Sequence, residues 1–215
     1  QFLSVKGINV LSFVSQVGPV KVEKNYTELN LDKVEENIVR CPDPQIAEQM
    51  IEFIDRTRKN QDTVGGIITG IIKGVPAGIG EPVFDKLDGE LGRLMGIGAV
   101  KGVEIGAGFA TKDMTGYQCN DQMHAEKGKV VFDSNNAGGI TGGVTTGQDI
   151  VIRVAIKPTP TIDKEQHTID KYTLENKDLA AITRRDAMRL ERVGKAKEDA
   201  KIAKLHYQLG KGVKG

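Results

Sequence analysis

Apolar residues recur along this chain with two periods, and each period marks a different kind of element. Between residues 149 and 156 they alternate. Ile150, Ile152, Val154 and Ile156 fall on one side and Val151, Arg153 and Ala155 on the other, which is the pattern of a half-buried β-strand. Residues 8–17 (INVLSFVSQV) are apolar and β-branched until Gly18-Pro19 stops them, and read as a strand. Residues 64–75 are β-branched with interspersed glycine, so they read as a strand closely approached on one face. Residues 100–105 and 129–132 add two more strands. Helical spacing appears at Ile46, Met50, Ile51 and Ile54 and predicts an amphipathic helix over 44–58. Asp43 is suited to cap it, and Pro44 suits its first position, where a missing N–H costs nothing. Phe84, Leu87, Leu91, Leu94 and Met95 predict a second helix over 83–95. Residues 20–40 and the stretch after 161 read as polar connections. Residues 107–128 read as a long irregular loop of the kind that carries function or moves. Residues 186–209 have helix-forming composition with a weak apolar stripe.

The strands do not alternate strictly with helices, which disfavours a doubly wound fold. The expectation is α+β: an antiparallel sheet with helices packed on one face. We divide the chain into a sheet-and-helix core over 1–183 and a basic helical tail over 184–215. That tail holds ten Lys/Arg against four Asp/Glu, or +6, within a chain whose net charge is +1. A solvated terminal helix explains it, and a nucleic-acid or acidic partner is the alternative. Aromatic residues make up only 5% and Trp is absent. A base-stacking surface is therefore not expected, and nucleic acid is an unfavoured partner.

The two cysteines, Cys41 and Cys119, form no CxxC pair. They predict neither a disulfide framework nor a metal site, and point to a reducing, cytoplasmic setting. No apolar run approaches the ~20 residues of a membrane span, and no signal-peptide pattern opens the sequence. His124, His167 and His206 are scattered among polar neighbours and read as surface residues. No Walker A pattern occurs, and Gly78-x-Gly80 and Gly106-x-Gly108 lack the third glycine of a dinucleotide fingerprint.

Glycine changes the picture most. Twenty of the 26 glycines lie between Gly65 and Gly147. The densest run, Asn135 to Gly147, suits either a backbone cradle for a flat ring or phosphate, or a pair of tight turns. Lys157-Pro158-Thr159-Pro160-Thr161 follows a strand directly. It offers an ammonium and two hydroxyls held extended by prolines, either as an anion site or as a plain strand terminator. Thr183-Arg184-Arg185-Asp186 sets two guanidinium groups beside a carboxylate.

Four segments then occur together: GVPAGIGEPVFDKL from Gly74, AVKGVEIG from Ala99, SNNAGGITGGVTTG from Ser134 and KPTPTI from Lys157. In content, order and spacing they closely resemble the chorismate synthase family, from about Gly7 to Asp170. The resemblance implies part of the family's β-α-β sandwich. It implies a homotetramer that uses reduced FMN, with NADPH as a possible electron source. The implied reaction is anti elimination of phosphate from 5-enolpyruvylshikimate 3-phosphate to give chorismate. Gly98 and Ala99 stand where the family's Asn-Ala meets the flavin, with Gly in place of Asn. Gly142 matches the glycine packed on FMN, and Lys157, Pro158, Thr159, Pro160 and Thr161 match the flavin-binding segment. Arg184 and Asp186 match the family's Gly-Arg-His-Asp-Pro, Arg184 for flavin or substrate and Asp186 as the catalytic carboxylate near the flavin. The His and Pro of that motif are replaced by Arg185 and Ala187. Arg192 and Glu198 fall at the family's spacing after it, and the basic residues 193–204 replace an apolar helix. The family's Gly-Glu-Ser-His-Gly and Arg-Ser-Ser-Ala-Arg-Glu segments, its substrate arginines and its two catalytic histidines have no counterpart in these 215 residues. The expectation is that this chain alone does not turn substrate over. The alternatives are a flavin- or phosphate-binding fragment without catalysis, or an interaction module built on the basic tail.

Overall fold

The computed structural model describes residues 2–170 and 172–179. A short helix, α1 (Phe2–Val5), leads into β1 (Asn9–Val17) and β2 (Val20–Lys21). Next come α2 (Pro44–Lys59), β3 (Gly66–Lys73), α3 (Leu87–Gly92), β4 (Val100–Ile105) and α4 (Gly116–Cys119). The remaining strands are β5 (Met123–Glu126), β6 (Lys129–Phe132), β7 (Ile140–Thr141), β8 (Val144–Thr145), β9 (Ile150–Ile156), β10 (Gln166–Ile169) and β11 (Asn176–Leu179). Five strands form one sheet in the order β2-β1-β3-β9-β4, every neighbour antiparallel.

The register explains the layering. Val14, Ile68, Val154 and Val103 lie in one row across the sheet, and Phe13, Thr69, Arg153 and Glu104 in the next. Adjacent rows point to opposite faces. Both main helices cover the Val154 face. α2 buries Ala47 and Met50 against Val17, Val22 and Cys41, with Val14 alongside. Leu87 and Leu91 of α3, with Leu94 of the turn after it, pack on Ile72, Ile150, Ile152 and Val154. The α+β arrangement with helices on one face is therefore the observed one. α2 begins as its sequence predicts. Asp43 accepts from the Gln45 and Ile46 amides, and Lys24 Nζ lies 2.7 Å from its carboxylate. Arg56, Arg58 and Lys59 end the helix, where cations complement the macrodipole.

Four segments differ from expectation. Residues 22–40 are not merely a polar connection. Two 3-10 turns, Tyr26–Glu28 and Leu31–Glu36, lay Tyr26, Leu29, Leu31 and Val34 over Phe13, Ile71 and Val151 on the second face. The predicted helix over 83–95 is only α3 followed by a 3-10 turn, Arg93–Gly96. Asp85 has φ +53° and Lys86 is extended, so helix cannot begin earlier. Gly89 and Gly92 weaken the helix beyond Lys86, and Phe84 is 82% exposed rather than turned inward. The loop over 107–128 contains a 3-10 turn, α4 and β5. β5 pairs with β6 through a Lys127-Gly128 turn with both φ positive, the tight-hairpin geometry. The polar stretch after 161 forms the exposed β10–β11 hairpin. No described helix is long and apolar enough to cross a membrane. The predicted helix over 186–209 and the tail it belongs to lie outside the described residues.

Candidate functional site

β9 and β4 end and begin at the same place, with Ile156 opposite Val100. This pairing brings two sequence-distant motifs together, because the Lys157 amide donates to the Ala99 carbonyl at 2.9 Å. Ala99 has φ +69°, a left-handed conformation that costs an L-residue roughly 1–2 kcal/mol. Backbone strain of this kind concentrates at functional sites.

The segment after Lys157 is fastened through its acceptors. Thr63 Oγ1 donates to the Thr159 carbonyl at 2.6 Å, and Gln166 Nε2 donates to the Pro160 carbonyl at 2.9 Å. Lys164 Nζ is held 2.7 Å from Asp62, and that hydrogen bond keeps the Asp62 carboxyl below the usual range. Gly65 lets the turn before β3 close on this end, since a Cβ there would lie 2.5 Å from the Ile156 oxygen and 3.0 Å from Pro158 Cδ. Many donors remain unspent. Among the described residues, the Lys157 ammonium makes no ion pair, and the amides of Gly98, Ala99, Thr159 and Thr161 and the hydroxyls of Thr159 and Thr161 make no hydrogen bond. Pro158 and Pro160 have no N–H to contribute. A surface cluster with this many free donors, and with the Ala99, Thr159 and Pro160 carbonyls engaged, is matched to an anion.

The glycine run lies at the other end of β9. Asp121 organises it, accepting from Ser134 Oγ (2.6 Å), the Asn136 amide (2.6 Å) and the Ala137 amide (2.9 Å). Burial pulls its carboxyl upward, but the hydrogen bonds outweigh that and leave it below the ordinary value. Gly106 and Gly138 touch backbone to backbone. A Cβ on Gly138 would lie 2.3 Å from the Gly106 nitrogen. The β7–β8 hairpin turns at Gly142-Gly143 with both φ positive, and nothing lies within 4 Å of where a Gly142 Cβ would stand. The 76–80 turn docks on this hairpin. Thr145 Oγ1, buried, donates to Pro76 and accepts from the Ile79 amide.

Gly142 is thus not beside Lys157. The Leu87 amide bonds to Gly143, and the helical stretch from there to Gly96 leads back toward Ala99. With a rise of about 1.5 Å per residue in the helix and about 2.0 Å in the 3-10 turn, that stretch spans roughly 17 Å. Gly98, Ala99 and Lys157–Thr161 are brought together, while Gly142 stands at the far end of α3. Arg184, Asp186 and His206 lie outside the described residues. His124 and His167 sit at the surface beside Asp133 and Asp178.

A wide cleft lies elsewhere, on the sheet face away from the helices, with a volume of about 1470 Å³. It is lined by both signs of charge, most of them paired: Arg153 with Glu104 at 3.0 Å, Lys21 with Glu23, Lys24 with Asp43, Asp133 with His124, and Asp149 with Lys73. Tyr26 donates to Asp149 across the same face. Sequence reading missed Asp62, Thr63, Gln166 and Asp121. Only their partners across the fold give them a role, and no local pattern marks them.

Comparison with known proteins decides the family. The family model for chorismate synthase matches residues 1–206. A chorismate synthase of Cytophaga hutchinsonii is 51% identical over 170 residues, covering 78% of this chain and 47% of that protein. One from Methanosarcina mazei is 49% identical over 185 residues, covering 86% and 51%. The chain belongs to the chorismate synthase family. A crystal structure of chorismate synthase superposes with a TM-score of 0.68 at 34% identity, over 73% of this chain and 51% of that one. Family members are lyases, and the chain spans about half the length of the curated relatives it matches. Two of the family-like motifs, the 76–80 turn and the glycine run, are separate in sequence but form one packed unit joined at Thr145.

Proposed function

We propose that this chain carries the flavin platform of a chorismate synthase. The reaction is anti elimination of phosphate from 5-enolpyruvylshikimate 3-phosphate to give chorismate, with reduced FMN as cofactor. The observation that carries the reading is the set of free donors at the Lys157 end, which fits a phosphate. Lys157 supplies the charge, and the hydroxyls and amides of Thr159 and Thr161 supply donors. The amides of Gly98 and Ala99 add two more from bare backbone. Gly142, open above its Cα, offers a surface on which a flat ring packs. Reduced flavin, when bound, supplies electron density that assists loss of the substrate phosphate. Arg184 serves flavin or substrate, and Asp186 stands as the catalytic carboxylate. The working form is a cytoplasmic homotetramer, with a core over 1–183 and a basic tail over 184–215.

The test is titration of FMN and of riboflavin, which lacks the phosphate, into the purified chain, followed by flavin fluorescence. Saturable FMN binding with riboflavin at least tenfold weaker supports the reading. No saturable change with FMN contradicts it. An anaerobic assay for chorismate with reduced FMN then separates a catalytic chain from one that only binds flavin.

A further inference from the structure

The phosphate-binding segment as proposed above has no regular structure of its own to hold it. Its two prolines stop it pairing as a strand, and it lies on the protein surface past the end of β9. It keeps its shape through contacts with a turn almost a hundred residues earlier, between α2 and β3. Thr63 takes the Thr159 carbonyl at 2.6 Å, and Asp62 takes Lys164 at 2.7 Å. The Asp62 carboxylate also accepts the Thr63 amide at 2.9 Å, tying the two anchors to each other. Gly65 allows the turn to approach within contact of Ile156 and Pro158.

We propose that Thr63 is a positioning residue for the anion site. By occupying the Thr159 carbonyl it removes a lone-pair oxygen that would repel a bound phosphate. It also fixes the Thr159–Pro160 peptide plane and so limits rotation of the adjoining Thr159 amide, while Gln166 holds the Pro160–Thr161 plane that carries the Thr161 amide. Asp62 supports it by holding Lys164. Lys164 is thereby spent as a tether, which leaves Lys157 as the cation of the segment. Neither residue touches the ligand; both act through the segment they hold. The inference rests on the flavin-phosphate reading of this segment.

The geometry sets the experiment. Thr63→Val keeps the shape and loses the hydroxyl, while Thr63→Ser keeps the hydroxyl and loses a methyl. FMN is titrated into the full chain and each variant by flavin fluorescence, and thermal midpoints are measured alongside. The expected result is FMN affinity about tenfold weaker in Thr63→Val, the scale of one hydrogen bond. Thr63→Ser stays within about twofold of the parent, and riboflavin affinity is the same in all three. Asp62→Asn, changed at a partly exposed side chain, weakens FMN several-fold and serves if Thr63→Val does not fold. Thr63→Val binding FMN as the parent does would overturn the inference and leave the flavin reading standing. Equal weakening by Val and Ser would also overturn it, because the methyl and not the hydroxyl would then matter. A parent chain that does not bind FMN removes the flavin reading, and this inference with it.

Discussion

Replacing Gly65 with alanine tests whether the α2–β3 turn is pressed against the end of β9 as tightly as the structure shows. The φ of Gly65 lies outside the left-handed region, so alanine is not excluded by conformation. The obstacle is space. The new Cβ would lie 2.5 Å from the Ile156 carbonyl oxygen, whereas ordinary contact begins near 3.4 Å. Backbone must therefore yield by about 0.9 Å, and the Ile156 oxygen it meets is main chain of a hydrogen-bonded sheet. Overpacking of this kind costs about 1–3 kcal/mol. For a chain of this size that lowers Tm by about 3–10 °C. Gly70→Ala, inside β3, is the control. Its Cβ would meet only the Ile152 oxygen, at 3.9 Å. There the conformational stiffness of alanine gains about 0.5–1 kcal/mol relative to glycine. Thermal and urea unfolding of the two variants should therefore shift in opposite directions. FMN affinity should fall only in Gly65→Ala, because only that change displaces Pro158. Equal stability of the two variants would refute the packing argument.

Asp121→Asn should destabilise by about 1–3 kcal/mol at neutral pH, through loss of charge-assisted bonds to the 134–137 loop. The folded carboxyl is depressed, so its contribution is present above the unfolded aspartate value of about 3.9 and is lost as pH falls through the lower folded value. Urea unfolding of parent and variant should converge in acid, and a gap that persists there would count against the assignment. Burial, then the Asp149 charge and hydrogen bond, raise the Tyr26 phenol to about 12. A neutral acid held this way stabilises the fold below the unfolded value near 10, and that stability is lost as pH rises toward 12. Ultraviolet titration should find a late step from Tyr26. Tyr26→Phe should remove that step and cost about 1 kcal/mol at neutral pH.

What the sequence discloses and what it hides divide along physical lines. β9 is legible because its alternation is a local consequence of a half-buried strand; Ile150 and Ile152 are buried and Val151 is not, while residues 153–156 are all half-buried. α2 is legible because cap, first-turn proline and apolar stripe agree. β5 is not, since Met123-His124-Ala125-Glu126 carries no β-branched residue and exists as a strand through its turn and partner. The 22–40 segment hides its burial because Val22 and Val34 follow no period. The candidate site divides the same way. Lys157 and the threonines announce their chemistry, but the meeting of Lys157 with Ala99 depends on antiparallel register between strands more than fifty residues apart. Thr63 and Asp62 matter only because a chain reversal sets them beside residues 159 and 164. No single-sequence pattern encodes such a meeting.

The central claim is that a flavin phosphate rests on the donors of the Lys157–Thr161 segment. Phosphorus-31 NMR of FMN during titration with the chain reads that atom directly. The account predicts a progressive shift or broadening of the phosphate resonance in the parent. In Lys157→Ala it predicts at least tenfold more protein for the same effect, as expected for loss of a charged hydrogen bond of about 1.5–3 kcal/mol. A phosphate resonance that stays unmoved in the parent, or that moves equally in Lys157→Ala, would contradict it.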